Sequence, residues 1–126
     1  MILPPYADLL GLTLDHDDAG APLLVMPYGA GVMGRPGFVH GGAIGGMLEM
    51  AAIVALRHAL ADDAVTIKPV TLTTDYMRGG REKDTVAQGE VRRLGTRIAN
   101  VDATAWQDDP ARPIAAARLT FLLRRP

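Results

Sequence analysis

Residues 42–60 constrain this chain more than any other segment. From Gly42 to about Leu60, apolar side chains recur at Ile44, Met47, Leu48, Ala51, Ala52, Ala55, Leu56, Ala59 and Leu60, the spacing of one helix face. Met50, Ile53 and Val54 fill the other face. A helix apolar nearly all round has to be surrounded, so the remaining residues must supply its cover. With 126 residues, the chain has length for one domain over 1–126. Gly45 and Gly46 each cost roughly 1 kcal/mol relative to alanine in a helix interior, which predicts close approach of a sheet or a ligand to the first turns.

The cover reads as strands. Pro4 through Leu10 allow a short helical turn; an alternating stretch then begins at Leu12-Thr13-Leu14 and stops at Asp17-Asp18-Ala19-Gly20. A second strand runs from Pro22 to Tyr28, followed by a glycine- and proline-rich loop from Gly29 to Gly37. Beyond Asp62-Asp63 the period changes to two. Val70, Leu72, Thr74 and Tyr76 are expected on one strand face, Ala99 through Ala105 on another, and Ala115 through Leu123 on a third, with Thr85 to Leu94 as the remaining strand. Gly79-Gly80, Gly95-Thr96 and Asp108-Asp109-Pro110 supply the turns. One buried helix among antiparallel strands predicts an α+β domain whose sheet wraps the helix.

Composition removes several chemistries. The chain has no cysteine and no serine, which excludes thiolate metal sites, cysteine nucleophiles and a serine triad, and suits a reducing cytoplasm. Met1-Ile2-Leu3-Pro4-Pro5 lacks a basic flank and an apolar stretch of export length, and Glu49 and Arg57 interrupt the most apolar segment. A cytoplasmic protein without membrane association is expected. The net charge of −1 argues against a nucleic-acid partner. The halves differ, however: residues 1–63 carry −5 and residues 64–126 carry +4. The positive half suggests an anionic ligand, or else ordinary surface charge.

Glu49 stands out within the helix. Its helical neighbours Gly45, Gly46, Ala52 and Ile53 offer no counter-charge, and it lies too far from the helix start for the dipole to help much. Either it occupies a narrow exposed stripe or it is a functional carboxylate. His40-Gly41-Gly42 stands at the loop-to-helix junction, where unobstructed N–H groups at a helix N-terminus can hold a developing oxyanion. The same tripeptide serves elsewhere as a simple turn and cap. His16 and His58 have no acidic or hydroxyl partner at a telling spacing and read as surface residues, and Trp106 reads as packing. Arg78, Arg81 and Lys83 taken alone read as a solvated turn.

Together these residues resemble a known family. Val39-His40-Gly41-Gly42-Ala43-Ile44 with a carboxylate nine residues after the histidine, then Thr74-Asp75-Tyr76-Met77-Arg78 and Arg93-Leu94-Gly95-Thr96-Arg97, look like the hotdog-fold acyl-CoA thioesterases of the phenylacetate-degradation (PaaI-like) group. The resemblance covers roughly residues 5–124. It implies a hotdog fold, an antiparallel sheet around one long central helix, pairing as a homodimer through a continuous sheet, and frequent assembly into a homotetramer. It further implies hydrolysis of a small or medium acyl- or aryl-CoA, with coenzyme A as part of the substrate and no metal or other cofactor.

By the same resemblance, Glu49 matches the catalytic acid that serves as general base or nucleophile. Gly41 matches the glycine whose N–H polarises the carbonyl, with His40 and Gly42 shaping the turn. Carboxylate and glycine are implied to come from opposite subunits. Arg78, Arg93, Gly95, Thr96 and Arg97 fall at positions near the CoA phosphates, and Thr73 is counted with the substrate contacts. Met47, Met50 and Leu10, with residues of the partner subunit, are expected to set the depth of the acyl pocket.

Two positions depart from the family pattern. Gly34 stands where many relatives have asparagine, and Pro69 where a serine or threonine hydroxyl is common; Thr71 and Thr73 are expected on the same face further along. These departures keep open an alternative function, a non-catalytic acyl-CoA or acyl-carrier binding protein. A hotdog dehydratase is less attractive, because no paired aspartate and histidine occur in the central-helix region.

Overall fold

The computed structural model describes residues 3–126; Met1 and Ile2, part of the segment read above for an export signal, lie outside the described residues. The elements follow the order α1 (Pro5–Leu9), β1 (Thr13–His16), β2 (Pro22–Met26), α2 (Gly41–Leu60), β3 (Thr66–Tyr76), β4 (Thr85–Leu94), β5 (Ile98–Trp106) and β6 (Ala115–Arg124). All six strands form one antiparallel sheet in the order β1-β2-β4-β5-β6-β3, and α2 packs against its inner face. This is the hotdog arrangement that the sequence predicts.

Alternation sets what reaches the helix. Leu24 and Met26 from β2, Ala87 from β4, Val101 and Ala103 from β5, and Leu119 and Phe121 from β6 are buried beneath α2. Small residues let helix and sheet come close. A Cβ at Gly89 on β4 would stand 2.7 Å from both the Ala51 carbonyl oxygen and Ala55 Cβ. By length and hydropathy α2 could cross a bilayer, but ten of its twenty residues are buried in this core. The helix ends at Ala61, in the left-handed region at φ 51°, whose N–H donates to the Arg57 carbonyl at 3.1 Å.

One stripe of α2 stays uncovered. Gly42, Gly45, Gly46, Glu49 and Ile53 follow one another along the helix and none is buried, whereas Met50 and Val54 are. The apolar surround is therefore incomplete on the side that carries the carboxylate.

The third strand corrects one expectation. Its register on β6 passes from Pro69 opposite Phe121 to Thr71 opposite Thr120, leaving Val70 as an extra, bulged residue. The bulge shifts the phase of alternation. Leu72, Thr74 and Tyr76 oppose the buried Leu119, Ala117 and Ala115, while Thr71 and Thr73 oppose Thr120 and the exposed Arg118. Val70 thus does not continue the inner row, and Thr71 and Thr73 do not share the face of Pro69. Among the described residues β3 also has a strand partner on one side only, and it exposes Val70 by 50%, Leu72 by 42% and Tyr76 by 56%.

Candidate active site

The first turn of α2 has four N–H groups without intrahelical partners, as every helix does. His40 is the N-cap: its Nδ1 accepts from the Gly42 N–H at 2.9 Å, and its carbonyl oxygen accepts from Ala43 and Ile44 at 3.0 and 3.1 Å. Among the described residues, nothing accepts from the Gly41 N–H. One donor therefore stands free at the positive end of a twenty-residue helix, at a residue only half-buried.

Surrounding contacts fix this donor. The His40 N–H donates to the Val32 carbonyl at 2.7 Å, and the Val39 N–H to the Gly80 carbonyl at 2.9 Å. Tyr76 at the end of β3 donates from Oη to the Gly41 carbonyl at 2.8 Å. Its ring lies over the glycine stripe, so a Cβ at Gly45 would stand 3.2 Å from Oη. On the other side Tyr6 from α1 covers Gly46, where a Cβ would stand 2.6 Å from the ring. The predicted close approach to Gly45 and Gly46 is thus made by two tyrosines. In the sequence Tyr76 reads only as a residue of the alternating strand face and of the Thr74-to-Arg78 motif, and Tyr6 carries no periodic signal at all.

Glu49 lies on the same stripe, about two turns beyond Gly41, half-buried and without an ion pair among the described residues. The step of eight positions from Gly41 to Glu49 rises about 12 Å along the helix axis. Thr74 is a further feature that spacing alone did not single out. Its hydroxyl oxygen is buried on the inner face and has no hydrogen-bond partner among the described residues. Thr73, by contrast, lies on the outer face beside Arg118 and is not brought to Glu49.

The basic residues fall into two groups. Arg78 follows β3 next to the α2 N-terminus, its N–H donating to Ile114, and lines a cavity of about 340 Å³ with Arg81, Lys83 and Arg112. Lys83 there pairs with Asp108 at 2.6 Å. Phe38 is stacked between this group and the loop before α2, with the Arg35 and Arg81 guanidinium carbons 4.2 and 4.3 Å from its ring centre. Gly95, Thr96 and Arg97 form the β4–β5 turn at the far end of the sheet, following Arg93 on the exposed end of β4. Thr96 and Arg97 line a cleft of about 630 Å³ with Lys68, Arg124 and Arg125, and no carboxylate lines it. Arg125 donates to the Gly95 and Thr96 carbonyls at 3.2 and 3.1 Å. β3 separates the two groups by roughly 33 Å within one chain.

Of the residues expected to set pocket depth, Met47 and Met50 are sealed in the core and Leu10 borders an open cavity. No group of three metal-ligating side chains occurs among the described residues.

A family model described as the thioesterase superfamily matches residues 36–114, from the loop before α2 to the start of β6. The chain belongs to the thioesterase superfamily. Solved structures share its fold. A protein from Chromobacterium violaceum is 36% identical, with a TM-score of 0.80 over 95% of this chain and 83% of that one. A Bacillus halodurans protein crystallised with CoA is 19% identical, with a TM-score of 0.87 over 98% and 81%. A thioesterase-type, phenylacetic acid degradation-related protein from Ralstonia eutropha is 22% identical, with a TM-score of 0.80 over 97% and 92%. No curated protein matches the chain.

Proposed function

We propose that this thioesterase-superfamily chain hydrolyses the thioester of a small or medium acyl- or aryl-CoA, at a site shared between two copies of the chain. The observation that carries the reading is the free Gly41 N–H at the start of the helix whose uncovered stripe carries Glu49, a carboxylate with no ion pair among the described residues. The N–H would hold the carbonyl oxygen and stabilise the oxyanion of the tetrahedral intermediate. Glu49 would take the proton of an attacking water, or attack the carbonyl itself and be released by water afterwards. In either route the C–S bond breaks and the thiolate of CoA leaves. The CoA of the Bacillus neighbour and the thioesterase type of the Ralstonia neighbour agree with this substrate class.

Helix arithmetic supports a shared site. A separation of about 12 Å is too long for Glu49 and Gly41 of one chain to act on a single carbonyl. The long unpaired edge of β3, with its exposed Val70, Leu72 and Tyr76, offers a second copy a strand to pair with. Antiparallel pairing there would bring the Arg97 end of one copy toward the Arg78 end of the other. The two basic groups, far apart in one chain, could then serve one nucleotide. A homodimer or homotetramer in the cytoplasm, needing no cofactor beyond the CoA of the substrate, completes the reading.

The test is thiol release from a panel of acyl-CoAs by wild type and Glu49→Ala. Turnover that survives the substitution overturns the mechanism. A second reading, acyl-CoA binding without hydrolysis, is favoured by one observation. Gly34 brings no side chain that could place water, a Cβ there would stand a tight 3.1 Å from His40 Cα, and Pro69 brings no hydroxyl. Calorimetric binding by a wild type that releases no thiol would establish it.

A further inference from the structure

Three large apolar side chains are held at the surface around one cavity: Tyr6 is 42% exposed, Leu9 76% and Met33 42%. The cavity measures about 340 Å³ and is also lined by Leu10, His40 and Gly42. Its wall therefore includes the residues on either side of Gly41, whose N–H is free. Exposing three such side chains in one place is costly in water, and a concave apolar lining beside a polar anchor is what a small-molecule pocket requires. Tyr6 forms its boundary on the α2 side. The ring lies on Gly46 so closely that no side chain fits there, and the tyrosine is presented by a helix of only five residues.

We propose that this cavity receives the acyl group of the thioester and that Tyr6 sets the chain length it accepts. The inference rests on the thioester reading above and adds the location and size of the acyl site. Gly42, the neighbour of the Gly41 donor, lines the cavity, so the substituent of a carbonyl held at Gly41 has this space beside it. The volume is near the lower limit for small-molecule pockets, so the ligand is a short to medium aliphatic chain or a single aromatic ring. Each methylene that enters strengthens binding about fourfold, and the gain stops where Tyr6 closes the space. Met33 on the opposite side offers the reverse adjustment.

The test compares wild type, Tyr6→Ala, Tyr6→Phe and Met33→Trp on butanoyl-, hexanoyl-, octanoyl-, decanoyl- and dodecanoyl-CoA. Both kcat/KM and calorimetric affinity are measured, with oligomeric state checked by sedimentation. The expected result is an optimum displaced to longer chains in Tyr6→Ala, kept in Tyr6→Phe and displaced to shorter chains in Met33→Trp. Profiles that stay parallel to wild type overturn the proposal. So does a change of oligomeric state in place of a change of profile, because the tyrosine would then be an interface residue. If wild type binds acyl-CoAs without hydrolysing them, the same displacement in affinity supports the pocket while the hydrolytic reading fails. If it binds acyl-CoAs no better than CoA alone, the pocket is refuted.

Discussion

Tyr76 Oη donates a 2.8 Å hydrogen bond to the carbonyl oxygen of Gly41, joining the end of β3 to the first turn of α2. The bond places a strand-edge residue directly over the helix stripe that ends in Glu49. Removing the hydroxyl while keeping the ring isolates its contribution. Tyr76→Phe is expected to lower stability by about 1 kcal/mol, the usual worth of one such bond, read as a shift in the urea midpoint. Its effect on catalysis should be larger in proportion. A Gly41 donor held less firmly predicts a fall of about tenfold in kcat. Equal kcat in the two proteins would separate Tyr76 from the site.

Gly89 provides a stability prediction independent of any reaction. Its missing side chain lets β4 approach the Ala51 carbonyl and Ala55 to within what would be 2.7 Å of a Cβ. Both obstacles belong to α2, and the carbonyl is helix backbone that cannot turn aside. Gly89→Ala should therefore destabilise by about 1–3 kcal/mol, even though alanine suits a strand no worse than glycine. Urea unfolding of the variant measures it.

The acid dependence of stability has one identified contributor. Asp17 in the β1–β2 turn accepts from the Gln88 side chain at 2.9 Å and from the Ala19 and Ala21 N–H groups, and these bonds hold its pKa below the usual aspartate range, the Gln88 bond most. A depressed folded-state value means that the ionised group stabilises the fold above the unfolded aspartate range. That contribution is lost as pH falls through the folded value. Wild type should thus be more stable than Asp17→Asn at neutral pH, and the two should converge in acid. A gap that stays constant with pH would remove Asp17 from the account.

What the sequence made legible follows from where its periodicity is strong. The α2 series marks a helix to within one residue, because its apolar positions continue for five turns and His40-Gly41 marks the start. Thr85 to Leu94 is likewise read correctly as a strand. The bulge at Val70 was not legible, since a proline in a strand does not say whether the register will slip beside it. Thr73 consequently falls on the outer face. Tyr6 was silent for a different reason: a contact between a short terminal helix and a glycine far along the chain leaves no local pattern. The distance between Arg78 and Arg97 is a property of strand direction, which motif order does not carry.

The shared site makes the most demanding prediction, and the geometry of the Gly41 position allows it to be tested cleanly. Gly41 is the first residue of α2, where proline fits a helix, and His40 has ψ 133°, the extended conformation that a following proline prefers. Gly41→Pro should delete the N–H with the helix kept, lowering kcat by about a hundredfold to a thousandfold. Gly41→Ala should remain active, because its Cβ meets the Tyr76 ring at an ordinary 3.6 Å. Glu49→Gln should lose a comparable or greater factor through the missing base. If each site takes Glu49 from one copy and Gly41 from the other, a hybrid of the two inactive variants contains one intact site. Co-expressed and randomly paired, the Gly41→Pro and Glu49→Gln chains should recover about a quarter of wild-type turnover. Two variants that stay inactive when mixed, with hybrid formation verified by differential tags, would place both groups within one chain and overturn the shared site.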